Sequence, residues 1–193
     1  MRVCQHLRLH VLDTPGLWTQ VDHIQNTAAL SFVLDRTKTL AVDITYLHVH
    51  GPDDIIFESV AAHMHHISTL CVHFGQIGQN LHAIKSETRA CTAFTTTAPL
   101  LQRLSIHGQR SVGSDKLVQI SCYFTIPARN MPRLSSLQLH GVDLDTDFFY
   151  QLKSLRSFSF RGSHDTRFFG SAQPEYVSRL LNNLTTINLE LAS

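Results

Sequence analysis

The chain is poor in charge. Of its 193 residues, 16% are Asp, Glu, Lys or Arg, against roughly 25% in an average soluble domain. Sixteen basic and fifteen acidic side chains leave a net charge of +1. Such a chain has no basic field, so neither a nonspecific nucleic-acid binder nor an anionic-membrane binder is expected. Long hydrophobic runs are missing as well. Stretches such as Ile55-Ile56-Phe57 fall far short of the ~20 apolar residues that span a bilayer. The opening residues, Met1-Arg2-Val3-Cys4-Gln5-His6, hold no apolar stretch of a secretory signal. Cysteine is scarce: Cys4, Cys71, Cys91 and Cys122 form no CxxC pair and are irregularly spaced. They read as reduced thiols, and the expected location is cytoplasmic, nuclear or both.

Signatures of chemistry are equally sparse. Gly162-Ser163-His164-Asp165 holds the residue types of a hydrolytic triad. Neighbours in sequence cannot line up nucleophile, base and orienting carboxylate, so the segment reads as a turn. Gly75-Gln76-Ile77-Gly78 lacks the lysine and third glycine of a phosphate loop. Thirteen histidines invite a metal reading, and His63 and His66 share a helical face. With no HExxH arrangement and no cysteine pair nearby, a solvated helix edge is expected there. The sequence thus predicts no catalytic residue, no cofactor and no metal site.

What the sequence does contain is an irregular repeat. The pattern apolar-x-x-apolar-x-apolar recurs at Ile67/Leu70/Val72, Leu101/Leu104/Ile106, Leu134/Leu137/Leu139, Leu155/Phe158/Phe160 and Leu184/Ile187/Leu189, with a shorter version at Leu40/Val42. A single match arises readily by chance where 43% of residues are apolar. The intervals of 21 to 34 residues between centres suit one strand plus one return segment. Breaks at Pro99 and Pro132 precede two of the repeats. Apolar and acidic patterning predicts helices over Asp53–His66, Asp145–Leu155 and Pro174–Leu184, while Cys91–Ala98 reads as loop. Val3–Leu12 reads as a helix and Leu17–Ala29 as a second apolar segment carrying Trp18. Trp18 is expected in the core near Leu34 and Leu40.

A strand of this type buries alternate residues and presents the others. One unit cannot cover its own apolar face, but stacked neighbours can. The predicted class is therefore α/β: a leucine-rich-repeat solenoid of about six irregular repeats. Its parallel sheet lines the concave face. Residues 1–29 form a helical cap and residues 30–193 the repeat domain. Read down the stack, the outward column is Asp43, His73, His107, His140, Arg161 and Glu190. Below about pH 6 its imidazoles would gain charge and favour an acidic partner. The expected partner-binding positions on this face are His73, Arg103, Ser105, His107, Gln138, His140, Ser159 and Arg161.

The N-terminal block Val3-Cys4-x-x-Leu7-Arg8-x-x-x-Leu12-x-Thr14-Pro15-x-Leu17-Trp18 resembles the second half of the F-box motif in fungal, basidiomycete-type F-box/leucine-rich-repeat proteins. Leu34-Asp35-Arg36-Thr37-x-x-Leu40 is similar to the segment that follows it there. Leu7 stands where the family has tryptophan, and the upstream Leu-Pro-x-Glu-Ile-Leu segment does not occur. The resemblance implies a non-enzymatic protein-interaction module, the substrate-recognition part of a cullin–RING ubiquitin ligase. It implies a protein substrate on the solenoid face. It also implies a Skp-family adaptor against Val3, Cys4, Leu12, Pro15, Leu17 and Trp18. The alternative is a free-standing repeat scaffold, since the adaptor-binding half of the motif is missing.

Overall fold

Seven short segments of alternating apolar and polar residues come together in one parallel sheet. The computed structural model describes residues 4–24, 26–49, 56–74, 96–107, 128–140, 152–163 and 184–192. The strands are β1 (Gln20–Val21), β2 (Val42–Val49), β3 (Ile67–Phe74), β4 (Arg103–His107), β5 (Ser136–His140), β6 (Ser157–Ser163) and β7 (Thr186–Ala192). They lie side by side in chain order, β1 to β7, and every neighbouring pair is parallel. A parallel neighbour requires a crossover, so the chain leaves each strand at one end of the sheet and enters the next strand at the opposite end. The sheet has one strand more than the six expected. The extra strand is β1, inside the segment read as a helical cap, where Gln20 and Val21 pair with Asp43 and Ile44.

One sheet face is the core. Leu70, Leu104, Leu137 and Phe158 are aligned across β3 to β6, and Val72, Ile106, Leu139 and Phe160 form the next row. All eight are buried. In the last strand Ile187 continues the first row but is 42% exposed, because β7 has a sheet neighbour on one side only. A repeated turn feeds three of the strands. Leu101, Leu134 and Leu155 each donate a backbone N–H to the residue three earlier, Ala98, Met131 and Leu152. Both members of each pair are buried, so the turn carries its own apolar contribution to the core. Hydroxyls tie the turns together: Ser68 donates to the Val42 carbonyl, Ser135 to Gln102 and Thr185 to Arg156.

The described helices are α1 (Gln5–Leu12), α2 (Thr27–Thr37) and α3 (Ile56–His63). Helix α3 falls within the expected Asp53–His66 element and buries Ile56, Phe57 and Val60. Of the expected helix over Asp145–Leu155, residues 152–155 are described and form a turn rather than a helix, the Leu155 N–H bonding the Leu152 carbonyl; the rest of it, nearly all of Pro174–Leu184 and most of the Cys91–Ala98 loop lie outside the described residues. Helix α2 is new. Asn26 starts it, its side chain accepting hydrogen bonds from the backbone of Ala28 at 2.8 Å and Ala29 at 3.4 Å. That satisfies two donors that the first helical turn leaves open. Asn26→Ala is expected to lower stability by about 1 kcal/mol, read as a lower thermal midpoint with unchanged strand content.

The structure corrects the first repeat. Leu40 and Val42 do not align with Leu70 and Val72; Ile44 and Leu47 do. Leu40 is instead 43% exposed. Asp43 pairs with Thr69, and the register shifts once between Val42 and Asp43 and again between Ile44 and Leu47. At the second shift β2 carries one residue more than β3, a β-bulge, and the backbone position level with His73 belongs to His48. Among the described residues, no helix is long and apolar enough to cross a membrane.

Candidate functional site

Residues on the other sheet face alternate with the buried leucines, so pleating sends them outward. Register gathers them into rows. One row is Thr69, Arg103, Ser136, Ser157 and Thr186; the next is Cys71, Ser105, Gln138, Ser159 and Asn188; the third is His73, His107, His140, Arg161 and Glu190. All eight residues expected on this face therefore share it, in three adjacent rows. Gln138, Arg103 and Arg161 are exposed, and His73, Ser105, His107, His140 and Ser159 are half-buried.

The third row is a continuous stack of rings. His23 lies 4.6 Å from Tyr46 between centroids, Tyr46 4.1 Å from His73, and His73 4.3 Å from His107. His107 meets His140 at 4.4 Å with planes perpendicular. These spacings follow from the ~4.8 Å separation of neighbouring strands. The imidazoles of His73 and His107 are nearly parallel, 3° apart, an arrangement that suits neutral rings. Burial pushes the His107 pKa down from 6.5 to about 4, and the neighbouring His73 and His140 add to the shift.

Hydrogen bonds link the rows. Cys71 Sγ lies 3.2 Å from His73 Nε2, and Ser105 Oγ lies 2.7 Å from His107 Nε2. Ser105 also donates to Gln138 Oε1 at 3.3 Å. Burial pushes the Cys71 thiol up, with Ser105 offsetting part of the shift. That opposes the thiolate form a cysteine nucleophile needs, although His73 stands beside it. Across the first row, Arg103 Nε donates to Thr69 Oγ1 at 3.1 Å. Asp43 sits where β1, β2 and β3 meet. Burial alone would raise its carboxyl, but hydrogen bonds from Ser68, Thr69 and Gln20, with the charge of Arg103, outweigh that and hold it low.

The N-terminal positions are placed differently. Val3 lies outside the described residues. Cys4 precedes α1 and is exposed, Leu12 ends α1 and is half-buried, and Pro15 opens a 3-10 turn over Pro15–Trp18. Leu17 is 59% exposed, and Leu7 and Leu9 of α1 and Phe32 of α2 are exposed as well. Trp18 is half-buried, and its ring meets that of Phe32 edge to face at 5.9 Å. Its Nε1 donates to the Val11 carbonyl at 3.0 Å, while Arg36 of α2 donates to the Leu12 carbonyl at 3.1 Å. The two side chains satisfy carbonyls that the end of α1 leaves open.

Sequence reasoning missed Tyr46 and Cys71. Tyr46 reaches the ring stack only through the bulge in β2, which no spacing rule announces. Cys71 lay in view, two residues before His73, as a donor on the same strand face. Its convergence with His107 depends on strand pairing across 35 intervening residues. His63, His65 and His66 do cluster, with ring centroids 4.5 to 6.4 Å apart. His66 is buried rather than solvated. No protein-family model matches the chain, no curated protein matches it, and no solved structure matches it.

Proposed function

We propose that the chain is a non-enzymatic protein-interaction module, a leucine-rich-repeat solenoid acting as the substrate-recognition part of an F-box protein in a cullin–RING ubiquitin ligase. The observation that carries this reading is the sequential parallel sheet with one wholly apolar and one wholly polar inner face from β3 to β6. Such a polar face is a pre-formed, laterally extended surface built from rigid strands. It would hold a protein substrate through Arg103, Ser105, Gln138, Ser159, Arg161 and the histidine row. No step of bond chemistry is needed. The ligase connection rests on the F-box-like block at residues 3–18 and on the exposed Leu7, Leu9 and Leu17 around it.

One observation favours a free-standing scaffold instead. Trp18 is occupied within the chain, against Phe32 and the Val11 carbonyl, and so offers less to an adaptor. Capture by a fungal Skp-family adaptor separates the two readings, using the present chain beside one extended upstream in the genomic frame. Capture of either chain supports the ligase role; failure of both leaves the scaffold. Where capture occurs, Leu17→Asp is expected to weaken it at least about tenfold, a loss of roughly 1.4 kcal/mol. Its exposed position predicts little change in the unfolding midpoint. Undiminished capture would place the adaptor elsewhere.

A further inference from the structure

Within the polar face, one group of side chains offers a chemistry beyond the interaction reading. Cys71 Sγ and one ring nitrogen each of His73 and His107 all lie within 4.8 Å of one another. All three residues are half-buried at the centre of the sheet. Cys71 and His73 are two apart on β3, so they rise from the same face, and His107 is the direct partner of His73 on β4. From these donors we propose a transition-metal site, with zinc(II) as the ion that fits a mixed thiolate and imidazole set.

The geometry is close to what such an ion needs. Tetrahedral zinc, with bonds of ~2.3 Å to sulfur and ~2.0 Å to nitrogen, sets S···N at about 3.6 Å. The Cys71–His73 separation of 3.2 Å widens to that with a small side-chain adjustment. The rings of His73 and His107 stack 3° apart, so one must turn about its broad χ2 torsion to bring both lone pairs to one point. Beside the donors, Ser105 Oγ lies 2.7 Å from His107 Nε2 and donates to Gln138 Oε1, a hydrogen-bond network of the kind that orients metal ligands. On binding, the Cys71 thiol proton passes to solvent and the thiolate bonds the metal. Three protein donors leave the fourth position to water, or to a donor carried by whatever occupies the face. This site stands independently of the ligase reading.

The test uses the full chain, stripped with chelator and titrated with zinc(II) against a chromophoric competitor, then with cobalt(II) as a spectroscopic probe. One equivalent is expected, with a thiolate-to-cobalt charge-transfer band. Cys71→Ser should abolish the band, and His73→Ala and His107→Gln should each weaken zinc binding at least about tenfold. His65→Ala, in the separate histidine cluster, should leave it unchanged. His107→Gln keeps a hydrogen-bonding partner for Ser105 and serves as the second variant should Cys71→Ser fold poorly. A band that survives Cys71→Ser, the absence of any band, or a loss in His65→Ala equal to that in His73→Ala overturns the site.

Discussion

Leu137→Ala is expected to cost about 2–5 kcal/mol, while Gln138→Ala, one residue on, should cost less than about 0.5 kcal/mol. Leu137 is fully buried and lies in register between Leu104 of β4 and Phe158 of β5's other neighbour, β6. Each strand pairs only with the strands before and after it. A cavity at the middle of the row therefore weakens two interfaces at once. Gln138 faces out and is exposed. Since a domain of this kind is stable by about 5–15 kcal/mol, the larger loss would move the urea midpoint far. The contrast also tests the register. A slip of one residue exchanges inward and outward positions, and the two variants would then exchange their effects. Comparable losses for both would count against the sheet described here.

Acid should unfold the protein through His66, by as much as about 3 kcal/mol between pH 7 and pH 4. His66 is 2% exposed. Its Nδ1 lies 3.0 Å from His65 Nε2, and its Nε2 lies 3.4 Å from Thr37 Oγ1 on α2. Burial, then the neighbouring His65 and His63, pushes its pKa from 6.5 down to about 4. The folded value is below the unfolded one, so the unfolded chain takes up the proton first. The stability that depends on a neutral His66 is whole above pH 6.5 and is lost as pH falls toward 4. His63 and His107 are shifted in the same direction and contribute to the slope. His66→Gln retains hydrogen-bonding capacity without the charge. Its urea midpoint should fall less from pH 7 to pH 4 than that of the unaltered chain. An identical pH slope in the two proteins would remove His66 from the account.

Much of the sheet was legible because its physics is local. Between β3 and β6 the period-2 alternation is unbroken, and the buried residues Leu70, Val72, Leu104, Ile106, Leu137, Leu139, Phe158 and Phe160 are those the repeat pattern names. Where alternation failed, the reading failed with it. In β2 the pattern Val42-x-Ile44-x-x-Leu47 contains the bulge, and aligning Leu40 with Leu70 moved the whole strand. Helix α2 has no counterpart in the sequence reading, which takes Leu34 to Thr37 only as part of the block similar to the segment after the F-box motif. The signal was available in Asn26 followed by Thr27-Ala28-Ala29-Leu30, a capping residue ahead of helix formers. Trp18, expected in the core, is half-buried, and its ring partner Phe32 comes from α2, which the sequence reading did not contain.

Alternation of side chains is enough to say which residues of a strand face the core, since the backbone sends successive Cβ atoms to opposite sides. It is also enough to say that the leucine rows need neighbours to cover them. Which residues stand beside one another across strands is a different quantity. It depends on bulges, on crossover length and on how each turn seats its apolar pair, and none of these is a property of one segment. The polar face was therefore foreseeable as a set of residues. The stack from His23 through Tyr46 to His140, and the convergence of Cys71, His73 and His107, were decided by strand pairing alone.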